Sequence, residues 1–225
     1  MKVSALIIAT WNVERLKHKR QLGEIVAACA DTHADILVLT ETDTRVSIPY
    51  PYCFNSAPLC EDEGDYYSTT ERRISIFTHY ECVRRHQTFD EKTALCVELK
   101  TEKGNLLVYG TIIGIHGNRR SSFKHDLDCQ LEDYSRLSAL GNGICICGDY
   151  NCSFSDNYYY TKESRQKLLA AFSEHGIALA TKDQVECIDH IAVSSSFLGN
   201  SIPMVTEWNL DKSLSDHKGI AVSFS

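Results

Sequence analysis

The feature that most constrains this chain is a series of short apolar runs, each of strand length, recurring from one end to the other. They fall at residues 4–11, 35–40, 73–78, 94–99, 106–113, 144–148, 188–194 and 219–224, and their length and bounding polar residues predict β-strands. Longer segments with helical spacing lie between some of them, at residues 17–30, 122–140 and 162–175. Ile25, Val26 and Cys29 mark one face of the first, and Leu127, Leu131, Tyr134 and Leu137 mark one face of the second. Gly176 suits the stop of the third. Numerous strands of mixed pattern, with fewer helices between them, predict an α/β (α+β) architecture. In it two mixed β-sheets pack face to face and helices flank them outside, a four-layer sandwich.

The 225 residues contain only 4 prolines, and no linker divides them, so a single domain spanning residues 1–225 is expected. Residues 46–70 are the least regular stretch and read as a long surface loop holding Glu61-Asp62-Glu63-Gly64-Asp65 and Tyr66-Tyr67. The ten cysteines lie largely inside apolar runs, as at Cys29, Cys96, Cys145 and Cys147. They read as reduced core thiols, since no C-x-x-C pair is present to anchor a zinc site and the chain is long for a disulfide scaffold. Residues 3–10 read as a buried first strand rather than a signal peptide, and no apolar stretch nears the ~20 residues that span a bilayer. A cytoplasmic protein with no membrane association and no obligate protein partner is the expectation. The balance of 23 basic and 30 acidic residues gives a net charge of −7. That argues against a general duplex-DNA coat protein, whose affinity would come from many phosphate contacts.

Several strands end in carboxylate, amide or imidazole instead of ordinary turn residues. The first ends in Trp11-Asn12, the second in Thr40-Glu41, and the run at 144–148 continues into Asp149-Tyr150-Asn151. A later strand opens with Asp189-His190, and the last is preceded by Ser215-Asp216-His217. One such residue is usually a turn or cap. Five sets bordering apolar runs place an oxygen-rich cluster at the sheet edges, the donor chemistry of a hard cation such as Mg²⁺.

The ordered set WN, TE, GDYN, DHI and SDH, from Thr10 to Val222, resembles the endonuclease/exonuclease/phosphatase superfamily, the deoxyribonuclease I-like group. The resemblance implies the four-layer sandwich with an active site at one rim. It implies Glu41 as principal metal ligand, with Asn12 and Asp216 beside the metal as ligands or through its waters. Asp149 would orient or deprotonate the attacking water, and Asn151 would bond the scissile phosphate or water. His217 would bind the phosphate, and Asp189 would fix its tautomer. Mg²⁺ is the implied cofactor, with Mn²⁺ able to substitute. These roles agree with what phosphoryl transfer requires, which is positioning and charge neutralisation.

The sequence departs from the family near Ile112, where many members carry His or Tyr. Tyr109, Thr111 or His116 are the residues that could substitute, with His116 counted among the catalytic candidates and Tyr109 among the substrate-binding ones. Basic runs follow two of the strands, Arg15, Lys17, Lys19 and Arg20 in one and Arg119, Arg120 and Lys124 in the other. A positive rim there would attract an anionic substrate despite the acidic total, with Arg119 and Arg120 as its contacts. Tyr158-Tyr159-Tyr160 can stack on a base or pack its own loop. His190 should face away from Asp189 by strand alternation, in a packing role, and Trp11 should pack beneath the site. The expected function is hydrolysis of a phosphodiester in nucleic acid or a nucleotide. The alternatives are a phosphomonoesterase or small-molecule phosphodiesterase acting on phosphoinositides or phospholipid headgroups, and a non-catalytic binding module that keeps the fold.

Overall fold

The computed structural model describes residues 5–59 and 67–225. The acidic run Glu61–Asp65 and Tyr66 therefore lie outside the described residues. The first sheet contains β1 (Leu6–Asn12), β2 (Ile36–Asp43), β3 (Tyr52–Asn55), β4 (Glu71–Thr78), β11 (Pro203–Trp208) and β12 (Gly219–Phe224), in the order β11-β12-β1-β2-β4-β3. The second contains β5 (Glu81–His86), β6 (Ala94–Thr101), β7 (Gly104–Ile112), β8 (Gly143–Asp149), β9 (Ile177–Leu179) and β10 (Asp189–Ser194), in the order β5-β6-β7-β8-β10-β9. Each sheet is mixed, with β1 and β2 parallel in one and β7 and β8 parallel in the other.

Alternation along these strands produces three apolar layers. Leu6 and Ile8, Ile36 and Val38, Val97, Val108, Cys145, Cys147, Ile191, Val193 and Val222 meet between the sheets. Trp11, Leu37, Leu39 and Phe77 face the other way, against Ile25 and Cys29 of α1 (Leu22–Asp31). On the far side Leu107, Tyr109, Ile144 and Ile146 pack on Phe123, Leu127 and Tyr134 of α2 (Ser121–Ser138) and Leu168 and Phe172 of α3 (Lys162–Glu174). Two sheets inside and helices outside make the expected four layers. A short α4 (Ser195–Leu198) follows β10. Among the described residues no helix is long and apolar enough to cross a membrane, and the nine cysteines described are all free.

Two sequence expectations change. The first helix starts at Leu22 rather than residue 17, because Glu14, Arg15 and Leu16 take left-handed φ of +51°, +55° and +52° and the chain passes through two short 3₁₀ turns first. The loop expected at residues 46–70 contains strand β3. That strand, with β5, β9 and β11, escaped the apolar pattern, and these four are the edge strands of the two sheets. Three of them carry exposed side chains, as at Tyr52, Val83 and Met204, and leave no continuous apolar run, while β9 is apolar but only three residues long.

Two positions tie stability to the geometry near the strand ends. Gly148 has φ +140°, and a Cβ there would sit 2.1 Å from the Thr111 carbonyl oxygen. Only glycine lets β8 run this close to β7 immediately before Asp149. Gly148→Ala should cost at least ~2 kcal/mol of unfolding free energy, because backbone rather than a mobile side chain must move. Denaturant titration of the two proteins measures it.

His190 is fully buried on the outer face of β10, against Phe154 and Tyr150. The Cys152 carbonyl can only accept, so Nε2–H donates to it at 3.0 Å, and Nδ1 accepts from the Thr181 hydroxyl at 2.9 Å. Burial pushes this imidazole down to about 4 from 6.5. Between those values the unfolded chain binds the proton and the folded one does not, so stability is present above pH 6.5 and falls as pH drops toward 4. The stability advantage of the wild type over His190→Gln should shrink by about 3 kcal/mol between pH 7 and pH 4, read from paired denaturant melts. Parallel curves would contradict it.

Candidate active site

The residues that line the space between the sheets are apolar for most of each strand and become polar at one end. Along β1 the inward set runs Leu6, Ile8, Thr10, Asn12; along β8 it runs Cys145, Cys147, Asp149; along β10 it runs back from Val193 through Ile191 to Asp189. The polar ends therefore collect at one rim of the inter-sheet core. Asp149 and Asp189 are direct partners in the antiparallel β8–β10 ladder, so two carboxylates stand side by side, each only 2% exposed.

Glu41 reaches this rim by a different route. Alternation after Leu37 and Leu39 would send it to the outer face. Its backbone instead takes φ +44°, and it drops out of the ladder between the pairs Thr40–Ile74 and Thr42–Arg72. The carboxylate then meets the Asn12 side chain, whose Nδ2 donates to Glu41 Oε1 at 3.3 Å and to Asp149 Oδ2 at 3.2 Å. A left-handed glutamate in a strand is a strained conformation that persists where the surroundings impose it.

His217 is placed by its neighbours. Nδ1–H donates to Asp189 Oδ2 at 2.6 Å, which fixes the tautomer and leaves Nε2 toward Asp216 Oδ1 at 3.6 Å. The His217 carbonyl accepts from the indole of Trp11 at 3.0 Å and from the Asn209 amide at 2.7 Å. Ser215 bridges the two motifs, its hydroxyl donating to the Asn12 carbonyl at 2.7 Å and accepting from His217 N–H at 3.1 Å. Trp11 lies fully buried beneath this loop, edge-on to Trp208 at 5.8 Å.

The electrostatics follow from burial and pairing. Burial works against charge on His217, but the Asp189 carboxylate outweighs it and holds the imidazole up to about 10, as a cation. Burial first, and then the neighbouring Asp189 charge, push the Asp149 carboxyl up to about 7. Asp149 is thereby a stronger base than an ordinary carboxylate, with Oδ1 accepting the Asn151 N–H at 2.8 Å.

The remaining expected residues divide. Asn151 sits at the rim with φ +48°, but its amide nitrogen donates to the carbonyls of Ile113 at 3.0 Å and Gly114 at 3.3 Å. It therefore presents its oxygen, which suits accepting from water. Asn12 likewise has its oxygen taken by the Glu14 N–H at 2.8 Å, so in this arrangement it spaces two carboxylates by its amide. Asp216 is 66% exposed beside His217. Tyr109 corrects the sequence expectation of substrate contact: it is fully buried on the outer face of β7 and donates to Asp133 Oδ2 at 2.9 Å. His116 stands exposed in the loop after β7. Ile112 pairs with Asp149 in the β7–β8 ladder, so an apolar side chain stands at the departed position. Arg119 and Arg120 are exposed at the entry to α2.

Three contributors carried no sequence signal of their own. Asn118 is buried, donates to the Asn151 carbonyl at 2.9 Å, and ties the loop after β7 to the site. Asn209 locks the SDH loop. Glu14 accepts the Asp216 N–H at 3.3 Å and pairs with Lys17. The Glu14 bond raises the Lys17 pKa, with smaller help from Asp216 and Glu41, so this basic run does border the rim. Its neighbour Arg15 bonds Glu71 at 2.8 Å and lies 4.3 Å over the Tyr67 ring.

Among the described residues no three His, Cys, Asp or Glu side chains close into a ready coordination sphere. The donor chemistry nonetheless fits a hard divalent cation. The rim offers carboxylate oxygens and no thiolate, the acids outnumber the one imidazolium, and Asp189 Oδ1 is buried without a hydrogen-bond partner among the described residues.

Comparison with known proteins bears on the fold and the family. An AP endonuclease from Archaeoglobus fulgidus superposes with a TM-score of 0.69 at 14% identity, covering 98% of this chain and 99% of that one. The 3'-5' exonuclease NExo from Neisseria meningitidis gives 0.71 at 17% identity, covering 98% and 100%. A humanised zebrafish (D. rerio) TDP2 gives 0.67 at 14% identity, covering 99% and 100%. At these identities the likeness is one of fold. No curated protein sequence matches the chain. The sequence pattern of the Endonuclease/Exonuclease/phosphatase family matches residues 9–217, a span that takes in Asn12, Glu41, Asp149, Asp189 and His217, and the chain belongs to that family.

Proposed function

We propose that this protein is a cytoplasmic, divalent-metal-dependent hydrolase of phosphate esters, acting on a phosphodiester of nucleic acid or a nucleotide. The observation that carries the reading is the pair of neighbouring acids in unlike roles. Asp189 is hydrogen-bonded to His217, while Asp149, buried beside the Asp189 charge, keeps a raised proton affinity. Two carboxyls whose surroundings push their pKa values apart divide the work of fixing a donor and handling a proton.

Asp149 accepts a proton from the attacking water, which the Asn151 side-chain oxygen helps to orient. His217, held as a cation by Asp189, donates through Nε2–H to a phosphate oxygen and stabilises the charge that develops there. Asn12 keeps Glu41 and Asp149 at fixed separation through its amide. Glu41 and Asp216 are the residues that would hold Mg²⁺ or Mn²⁺, which supplies neutralisation of the phosphate charge when bound. Arg119 and Arg120, with the basic run after β1, would contact flanking phosphates.

Asp149→Asn should lower kcat by ~10²–10⁴-fold in steady-state hydrolysis of a labelled oligonucleotide or a nucleotide diester, the range expected for loss of a general base. Circular dichroism should show the fold retained. Near-normal turnover would remove Asp149 from the mechanism, and phosphate release without strand cleavage would favour the phosphomonoesterase alternative. Chelation should abolish activity and added Mg²⁺ or Mn²⁺ should restore it, with Glu41→Gln needing a higher metal concentration for half-maximal rate. Full activity in EDTA would rule out the metal-dependent reading.

A further inference from the structure

A pocket of about 240 Å³ opens directly beside His217, and its inner wall is Asn151, Asp189 and His217 itself. That volume is below the roughly 300–1,000 Å³ of pockets that take drug-sized ligands, so it suits one sugar, base or phosphate group. Two of the loops that also line it meet one another. Tyr158 comes from the loop after β8 and Lys212 from the loop before β12. The Lys212 ammonium lies 3.3 Å from the Tyr158 hydroxyl and 5.3 Å from the ring centre.

Both halves of this bridge are held from behind. Lys212 has φ +55° in a turn closed by its N–H to the Asn209 carbonyl at 3.0 Å. The Asn209 side chain also accepts the Leu214 N–H and donates to the carbonyls of Ser215 and His217. One residue therefore ties the lysine turn, through its backbone carbonyl, to the loop that carries His217, through its side-chain amide. On the other side Asp156 accepts the N–H groups of Tyr158 and Glu186, and Ser155 donates to the Gln184 carbonyl. The pocket beside the His217 imidazole is thus also lined by an aromatic ring and a cation that touch across two loops.

We propose that the Tyr158–Lys212 bridge makes this a blind pocket, which admits the end of a nucleic acid chain and excludes a strand that continues past it. The proposal rests on the phosphodiesterase reading above and specifies where along its substrate that activity falls. A single terminal sugar, base or phosphate group fits against Tyr158, with the Lys212 ammonium next to it. An internal phosphodiester needs the chain to pass where the two side chains meet.

The test compares a uniformly labelled linear oligonucleotide with the same sequence closed into a circle, for the wild type and for Tyr158→Ala/Lys212→Ala, with Mg²⁺ present. Both side chains lie at the surface, Tyr158 being 48% exposed, and a thermal melt confirms that the variant folds. The wild type should degrade the linear form from its ends and leave the circle intact. The double variant should raise the ratio of circle opening to end release at least tenfold, with Tyr158→Phe between the two. Circle opening by the wild type at a rate like that of linear cleavage would overturn the proposal and leave the hydrolase reading standing, as would an unchanged ratio in the variant. Absence of hydrolysis on both substrates would overturn the proposal, and cleavage of a nucleotide diester by the same preparation would leave the hydrolase reading standing.

Discussion

The structure depends on the two-residue alternation that fills the space between its sheets. Each strand must present every second side chain to that layer, and the layer tolerates no unpaired polar atom along most of its length. At one rim water, or a bound ion, can reach in, and there the same inward series changes from Ile, Val and Cys to Asn and Asp. The site is thus a continuation of the core, and its residues inherit the rigidity of the ladder that carries them. Asp149 and Asp189 stand as register partners because β8 and β10 pair, and no loop needs to be ordered to bring them together.

Burial at that rim then sets the chemistry. Two neighbouring acids with one imidazole cannot share it equally. The 2.6 Å contact gives His217 to Asp189 and leaves Asp149 with raised proton affinity. The excess of acid that remains is what a divalent cation would offset. The same excess accounts for part of the −7 net charge, so an acidic total is compatible with a local basic rim such as the one Lys17 borders.

Central strands were legible in the sequence because both their faces are covered and their apolar runs are unbroken. Edge strands were not, because β3, β5 and β11 carry exposed residues and β9 is only three residues long. Site residues that continue a strand's alternation, such as Asn12, Asp149 and Asp189, could be placed from order and spacing. Glu41 could not be placed by period alone, since a left-handed backbone moves it across the sheet. Tyr109 misled for the complementary reason. It lies on the outer parity of β7 with Leu107, under α2, and only the register shows that the neighbouring Ile112 holds the rim position. Asn118, Asn209 and Glu14 act through backbone contacts between distant loops, and such contacts leave no local pattern.

The central claim is that Asp189 and His217 act as one unit in hydrolysis. A double-mutant cycle on kcat with Asp189→Asn, His217→Ala and the combined variant measures this most directly, on a phosphodiester substrate with Mg²⁺. The account predicts that each single change costs nearly as much as both together, because the imidazole has its charge and direction only through the carboxylate. Losses that multiply, or single variants that keep near-normal turnover, would contradict it.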